Sequence, residues 1–255
     1  MTKPLTHVDV ISRRELRDMW RQDYSSGHHV LMIGPKQKGK TTLALELLTV
    51  SVSPQRRCII LAGKPPGRDH VMENIAPQKL NLRVVEEWPP LPSYRDRNRN
   101  GYVLRPRQQM KDVDADNAEI ESQFRRAILS CYSSKRPVIL VIDEAHHVYV
   151  DMKLKKEYEA SLMRGAPICG QWMLLQRGRH VSYHSYDAPD HVFMFYDPDR
   201  SNVQRYSEIG GTDPHVIQHI VNNELHQRRS ANGQVNSEAL YIRRAGPEYY
   251  IVSLD

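Results

Sequence analysis

The sequence predicts an α/β domain: a mostly parallel sheet with helices on both faces and a C-terminal antiparallel hairpin. Three observations lead there. Strand-patterned segments alternate with segments of helical periodicity along the chain. Val138 to Ile142 is an unbroken apolar run, VILVI, of the kind that fills a central parallel strand. A glycine-rich turn, Gly34 to Gly39, joins an apolar run before it to a helical pattern after it.

The elements follow in order. Residues 1–26 are a polar extension with helical character, and residues 27–255 form the main domain. His29 to Ile33 is a short apolar run ending at glycine, a buried strand. Thr41 to Val50 is a helix with Leu43, Leu47 and Leu48 on one face. Cys58 to Ala62 is a second strand, and Asn81 to Glu86 a third. Trp88-Pro89-Pro90-Leu91-Pro92 then blocks regular structure, because proline lacks an N–H and restricts the residue before it. Asn117 to Cys131 is a helix, since Ile120, Phe124, Ala127, Ile128 and Cys131 recur at helical spacing, with Asp116 as its cap. Lys153 to Arg164 is another, ended by Gly165 and Pro167. Trp172 to Leu175 and Val192 to Tyr196 are strands. Val203 to Ile209 and Pro214 to Leu225 are short helices. Leu240 to Arg243 and Tyr249 to Val252, around Gly246-Pro247, make the terminal hairpin.

Composition bounds the function. The 255 residues are 40% hydrophobic and 26% charged, which excludes a collagen, a membrane bundle and a fully disordered chain. No apolar run approaches the roughly 20 residues that span a bilayer. Met1 to Trp20 lacks the apolar core of a signal peptide. Cys58, Cys131 and Cys169 are too few and too scattered for a disulfide framework, so a reducing cytoplasm is expected. The net charge is +6. Most of it lies in one stretch, where Arg95, Arg97, Arg99, Arg105, Arg107 and Lys111 face only Asp96. We read residues 88–112 as a proline- and arginine-rich insertion or arm. It is either a solvated loop or a mobile contact to nucleic-acid phosphate, and composition leaves both open.

Gly34-Pro35-Lys36-Gln37-Lys38-Gly39-Lys40-Thr41 fits G-x-x-x-x-G-K-[ST] at every fixed position. It follows a predicted strand and opens a predicted helix, as a phosphate-binding P-loop requires. The glycines let backbone amides turn toward phosphate oxygens, and the helix start adds unpaired N–H donors. Lys40 reaches the β- and γ-phosphates, the Thr41 hydroxyl holds Mg²⁺, and Thr42 helps cap the helix.

The VILVI strand ends in Asp143 and Glu144. Asp143 is placed to hold Mg²⁺ beside Thr41, and Glu144 to orient or deprotonate the attacking water. An aspartate followed by glutamate marks the P-loop class with an added strand between the two motifs. That class favours ATP over GTP. Asp143-Glu144-Ala145-His146 also spells the motif of two-lobed helicases, but this length accommodates only one lobe and the first motif lacks their glycine spacing. No spaced cysteine or second histidine pair makes a metal site of His146-His147 or His28-His29.

Gln171 to Leu175 is a strand ending at Gln176, placed to sense the γ-phosphate or the lytic water. Together with Met163-Arg164-Gly165, Arg177 and Val181, this run resembles the FtsK/HerA superfamily of P-loop ATPases. His191 to Phe195, the run from Asp199 to Gly211 and the closing Glu238 to Ile251 resemble it as well. The likeness covers roughly residues 27–252. Leu175 stands where the family has threonine, Gly178 where proline often follows, and Ala166 where a second arginine is frequent.

The resemblance implies a minimal RecA-like motor domain that uses ATP and Mg²⁺. It implies a homo-oligomeric ring, often a hexamer, that translocates or packages double-stranded DNA, as in ATPases of viruses and mobile elements. Each ATP site is then completed by a neighbour's arginine, for which Arg164, Arg177, Arg179 and Arg200 are the candidates. Arg95, Arg97, Arg99, Arg105 and Arg107 are candidate DNA contacts. Neither membrane insertion nor a large extra domain is expected. Two other readings stand beside this one: a nucleotide-gated interaction protein, and a secretion or transfer ATPase of the same superfamily.

Overall fold

Strand β2 (Val30–Ile33) is buried along its whole length and sits near the middle of a ten-stranded sheet. The structure, a computed structural model, describes residues 8–165, 167–176, 184–199, 214–229, 235–244, 246 and 248–254. The other strands are β1 (Asp9–Ile11), β3 (Arg57–Leu61), β4 (Leu82–Val85), β5 (Gly101–Leu104), β6 (Val138–Ile142), β7 (Cys169–Leu175) and β8 (His191–Phe195). A separate ribbon of β9 (Gln227–Arg229) and β10 (Val235–Ser237) precedes β11 (Ala239–Arg243) and β12 (Glu248–Val252). The sheet order is β1-β12-β11-β8-β2-β7-β6-β3-β5-β4. Strands β8, β2, β7, β6, β3, β5 and β4 run parallel, and β11 is antiparallel to both β8 and β12. The α/β class, the parallel core and the terminal hairpin therefore stand as read from the sequence.

Both faces of the central strands are covered, which is why they read as continuous apolar runs. Leu31, Ile33, Leu140, Ile142, Met173 and Leu175 pack with Phe124 and Ile128 of α4 (Val113–Tyr132) and Tyr158 of α5 (Lys155–Arg164). Val30, Met32, Ile139, Val141, Trp172 and Leu174 face the other way. They pack with Leu16 and Trp20 of α1 (Arg13–Asp23), Leu43 and Leu47 of α2 (Lys40–Ser51) and Ala76 of α3 (Ala76–Lys79). Residues 9–24 share this core: β1 pairs with β12, and Trp20 Nε1 donates to Ser51 Oγ at 2.8 Å.

Several boundaries differ from expectation. Helix α4 starts four residues early, capped by Asp112, whose carboxylate accepts from the N–H groups of Asp114 and Ala115. Asp116 instead accepts from the Gln109 and Met110 amides and holds the incoming chain. Helix α5 starts two residues late, because Lys153 has a left-handed φ of 54°. The expected helix Val203 to Ile209 lies outside the described residues. The segment Pro214 to Leu225 is α7 (Pro214–His219) running into a wider π turn over Ile220–Glu224. A short α6 (His184–Asp187) was not expected.

The largest correction concerns residues 88–112. Gly101 to Leu104 is β5, buried throughout between β3 and β4. Gly101 allows that approach: it has φ 141°, and a Cβ there would lie 1.8 Å from the Cys58 carbonyl oxygen. The segment is anchored at its start as well, where Trp88 Nε1 donates to Ser130 Oγ at 3.0 Å. The basic stretch is thus not one arm. Parallel pairing sends Arg95, Arg97 and Arg99 to the N-terminal edge of the sheet, and Arg105 and Arg107 to the C-terminal edge.

Candidate active site

The C-terminal ends of the parallel strands share one edge, and the predicted chemistry gathers there. Strand β7 lies between β2 and β6 and so separates the P-loop strand from the Asp143 strand. This is the added strand expected from the Asp-Glu motif. Residues following β2, β7, β6 and β3 line one cavity of about 220 Å³. Lys36, Gln37, Lys40 and Thr41 come from the loop and helix start; Gln176 follows β7; Asp143 and Glu144 follow β6; Lys64 follows β3.

The loop itself leaves Gly34, whose N–H donates to the Leu175 carbonyl at 3.1 Å. It reaches α2 through Gly39, the helix N-cap, at a left-handed φ of 95° that favours glycine. No side chain caps this helix, and Thr42 is exposed. The capping role expected of Thr42 is therefore not filled; the first-turn amides remain open for an anion. Lys40 Nζ donates to the carbonyls of Gly34 and Pro35, both at 2.6 Å. Burial lowers its pKa to about 8, against the pull of Asp143 and Glu144. Lys38 turns away, toward Gln227 of β9, with its ammonium 5.2 Å from the centre of the Tyr196 ring. Lys36 is exposed.

The Asp143 side chain is only 9% exposed, and desolvation pushes its carboxyl pKa up while Lys64 pulls it down. Lys64 Nζ lies 3.1 Å from Asp143 Oδ2 and 3.2 Å from Asp69 Oδ2. Glu144 adopts a φ of 62°, a costly backbone state for a glutamate and one that clusters at functional positions. Its Oε1 accepts from Gln176 Nε2. Gln176 is thus brought to the carboxylate rather than left at an exposed strand end.

The donors suit Mg²⁺. Thr41 offers a hydroxyl and Asp143 a carboxylate to the same cavity. Among the described residues no group of three or more His, Cys, Asp or Glu side chains could hold a metal by itself. A hard ion that keeps waters and shares phosphate oxygens needs only one or two protein ligands. Near the start of β2, His28 Nδ1 lies 3.0 Å from His191 Nε2, and His29 Nδ1 accepts from the Gln171 amide.

Of the arginines, Arg164 is exposed at the end of α5, on the opposite sheet edge. Arg177, Arg179 and Arg200 lie outside the described residues. Arg105 is paired with Glu73 and largely buried, so it is not presented to a partner. Arg99 donates to Asn81 Oδ1 at 2.7 Å. Arg95, Arg97 and Arg107 are exposed, and the Arg97 guanidinium stacks 4.9 Å from the Tyr94 ring centre.

Sequence reasoning missed Lys64, Asp69, Tyr196 and Asp197. All but Asp69 follow a strand whose C-terminal end reaches the loop edge, which was the available signal. Asp197 is buried and its charge acts on both Lys38 and Lys40. Tyr196 borders a second cavity, about 590 Å³, with Pro198, His215, Gln218, His219, Asn222 and Asn223.

Solved structures superpose on this chain over most of its length. B204, the DNA-packaging ATPase from Sulfolobus turreted icosahedral virus, superposes with a TM-score of 0.58 at 16% identity, covering 90% of this chain and 98% of that one. VirB4 of Thermoanaerobacter pseudethanolicus gives 0.60 at 9% identity, covering 89% of each chain. The chain shares its fold with these two proteins. The genome-packaging NTPase B204 of Sulfolobus turreted icosahedral virus 2, in complex with AMPPCP, gives 0.51 at 15% identity, covering 89% of this chain and 97% of that one. No protein-family model matches the sequence, and no curated protein does. Within this shared fold, the cavity bordered by Lys40, Thr41, Asp143, Glu144 and Gln176 occupies the strand-end position where α/β sheets bind ligands. Among the described residues, no helix is long and apolar enough to cross a membrane.

Proposed function

We propose that the chain hydrolyses ATP and uses the energy to translocate or package double-stranded DNA as a ring oligomer. One observation carries the ATPase reading: the P-loop lysine, the Asp143-Glu144 pair and Gln176 border a single cavity at the sheet's C-terminal edge. Lys40 exchanges the Gly34 and Pro35 carbonyls for β- and γ-phosphate oxygens. The amides at the start of α2 take the remaining phosphate charge. The cavity beside Tyr196 takes the nucleobase, where an aromatic ring and several amide side chains meet. Thr41 and Asp143 would hold Mg²⁺, which offsets phosphate charge when bound.

Glu144 accepts a proton from the attacking water as its oxygen bonds to the γ-phosphorus and the bond to the β–γ bridging oxygen breaks. Gln176 holds Glu144 in place for that step. A neighbouring subunit supplies the arginine, with Arg164, Arg177, Arg179 and Arg200 as candidates. The likeness to B204 in fold supports DNA as cargo. Arg95, Arg97 and Arg107 are the exposed cations suited to duplex phosphate.

The test is the ATPase rate with and without double-stranded DNA, alongside the mass of the assembly. Stimulation by DNA in an assembled ring is expected, with no turnover in Lys40→Ala. A wild-type rate in Lys40→Ala would overturn the site. Turnover indifferent to DNA would favour the secretion or transfer reading, and binding with little turnover a nucleotide-gated interaction protein.

A further inference from the structure

We propose that Lys64 is a displaceable counter-ion for the metal-binding carboxylate. It occupies Asp143 in the nucleotide-free state and yields it when metal and nucleotide arrive. The inference rests on the nucleotide-site reading above and assigns Lys64 as a positioning residue that keeps free divalent ions out.

The register of the sheet puts Lys64 there. Leu61 of β3 pairs with Ile142 of β6, so the chain beyond each strand runs side by side at the loop edge. Lys64 Nζ sits 3.1 Å from Asp143 and 3.2 Å from Asp69. The two carboxylates cannot move easily. Asp143 ends a central strand, and Asp69 is 7% exposed with its other oxygen accepting from the Met72 amide at 3.2 Å. The lysine can move: its side chain is 37% exposed and hangs on a flexible four-carbon stem from a loop. A mobile cation is therefore clamped between two fixed anions, and it touches the carboxylate oxygen that a metal needs.

The charge count gives the lysine a purpose. Asp143, Glu144 and Asp69 outnumber Lys36 and Lys40, the other cations in this corner, and the excess negative charge draws a free divalent ion toward Asp143. With Lys64 in place that excess is offset, and an ion enters only with the charge a triphosphate brings. Lysine is suited to this role because it is a compact point charge rather than a bidentate clamp.

The test uses the full-length, nucleotide-free protein and Mn²⁺ as the probe, followed by electron paramagnetic resonance. Wild type is expected to bind Mn²⁺ weakly. Lys64→Met removes a positive charge within 3.2 Å of both carboxylates and tightens binding by about tenfold or more. Lys64→Gln is expected to match it, and covers the case in which the methionine variant does not fold. Lys64→Arg keeps the charge and behaves as wild type. Equal or weaker Mn²⁺ binding in the folded neutral variants, or tight binding in Lys64→Arg, overturns the proposal. A parallel melt of wild type with AMPPCP and Mg²⁺ tests the nucleotide site separately. A missing stabilisation there sinks that site and leaves the Mn²⁺ comparison to decide the role of Lys64 at Asp143.

Discussion

Replacing Gln176 with alanine should slow turnover without weakening ATP binding. The Gln176 amide donates to Glu144, and Glu144 is held at a φ of 62° just past β6. A hydrogen bond to a charged group contributes about 1.5–3 kcal/mol. At about 1.4 kcal/mol per decade, losing it in the transition state lowers kcat by about 10- to 150-fold. The lower end applies if a water replaces the amide. The KM for ATP should stay within about twofold, because in the proposed site the loop and Lys40, rather than Gln176, would hold the phosphates. Gln176→Glu sets a second carboxylate against Glu144 and should be worse than alanine, since neighbouring carboxylates resist joint ionisation. Steady-state kinetics over a range of ATP concentrations measures both constants. A kcat within threefold of wild type refutes the positioning argument. So does a raised KM with kcat intact, which would make Gln176 a ground-state phosphate ligand.

Three further outcomes follow from the fold. Gly101→Ala forces a Cβ to 1.8 Å from the Cys58 carbonyl and should cost about 3 kcal/mol or more in urea unfolding, while Gly67→Ala, also at positive φ but with open space, should cost only about 1 kcal/mol; equal losses would refute the close-approach account. Burial lowers the His191 pKa to about 3, so the unfolded chain takes up a proton near pH 6.5 that the folded chain refuses. Stability from this group is complete above about pH 6.5 and falls as pH drops, by about 1–2 kcal/mol by pH 5; His191→Phe should flatten that slope in urea melts. Arg95→Gln with Arg97→Gln should weaken duplex binding and reduce its salt slope by up to about 2, whereas Arg105→Gln breaks the pair with Glu73 and should lower Tm with the slope unchanged.

The sheet and the phosphate loop were legible because each rests on a local rule. VILVI is buried on both faces and matches β6 residue for residue. Gly39 and Lys40 sit where strand, turn and helix require them. Strand β5 was hidden for a physical reason. Only four residues long, it is flanked by arginines and prolines, and its burial comes from β3 and β4 rather than from its own pattern. Composition averages over such a segment and reads it as a loop. Asp116 misled in a different way: it has the chemistry of a cap but serves the approach to the helix, while Asp112 caps it. Lys64 could be placed at the loop edge from the strand before it, but its partner depends on register. Nothing within a few residues of it in sequence indicates a carboxylate 79 positions away.

The division of the basic stretch by β5 bears on how the proposed motor would work. The nucleotide cavity is at one edge of the sheet, and Arg95 and Arg97 at the other. Between them stand parallel strands packed on both faces, and close-packed interiors deform little. Hydrolysis at Asp143 and Glu144 therefore has poor means of moving Arg95 relative to its own P-loop. It has better means of moving one rigid body against another, because exposed groups stand at the cavity edge, Lys36 and Gln37 among them. Lys64, 37% exposed, is there too, as is exposed strand β9, whose partner strand is tied to the P-loop by the Ser237 amide donating to the Lys38 carbonyl at 3.1 Å. Work is then done between copies of the chain, with the arginines on each copy carried along. On this argument a single copy binds nucleotide but cannot couple it to movement of DNA, and coupling should appear only at concentrations where the chain assembles.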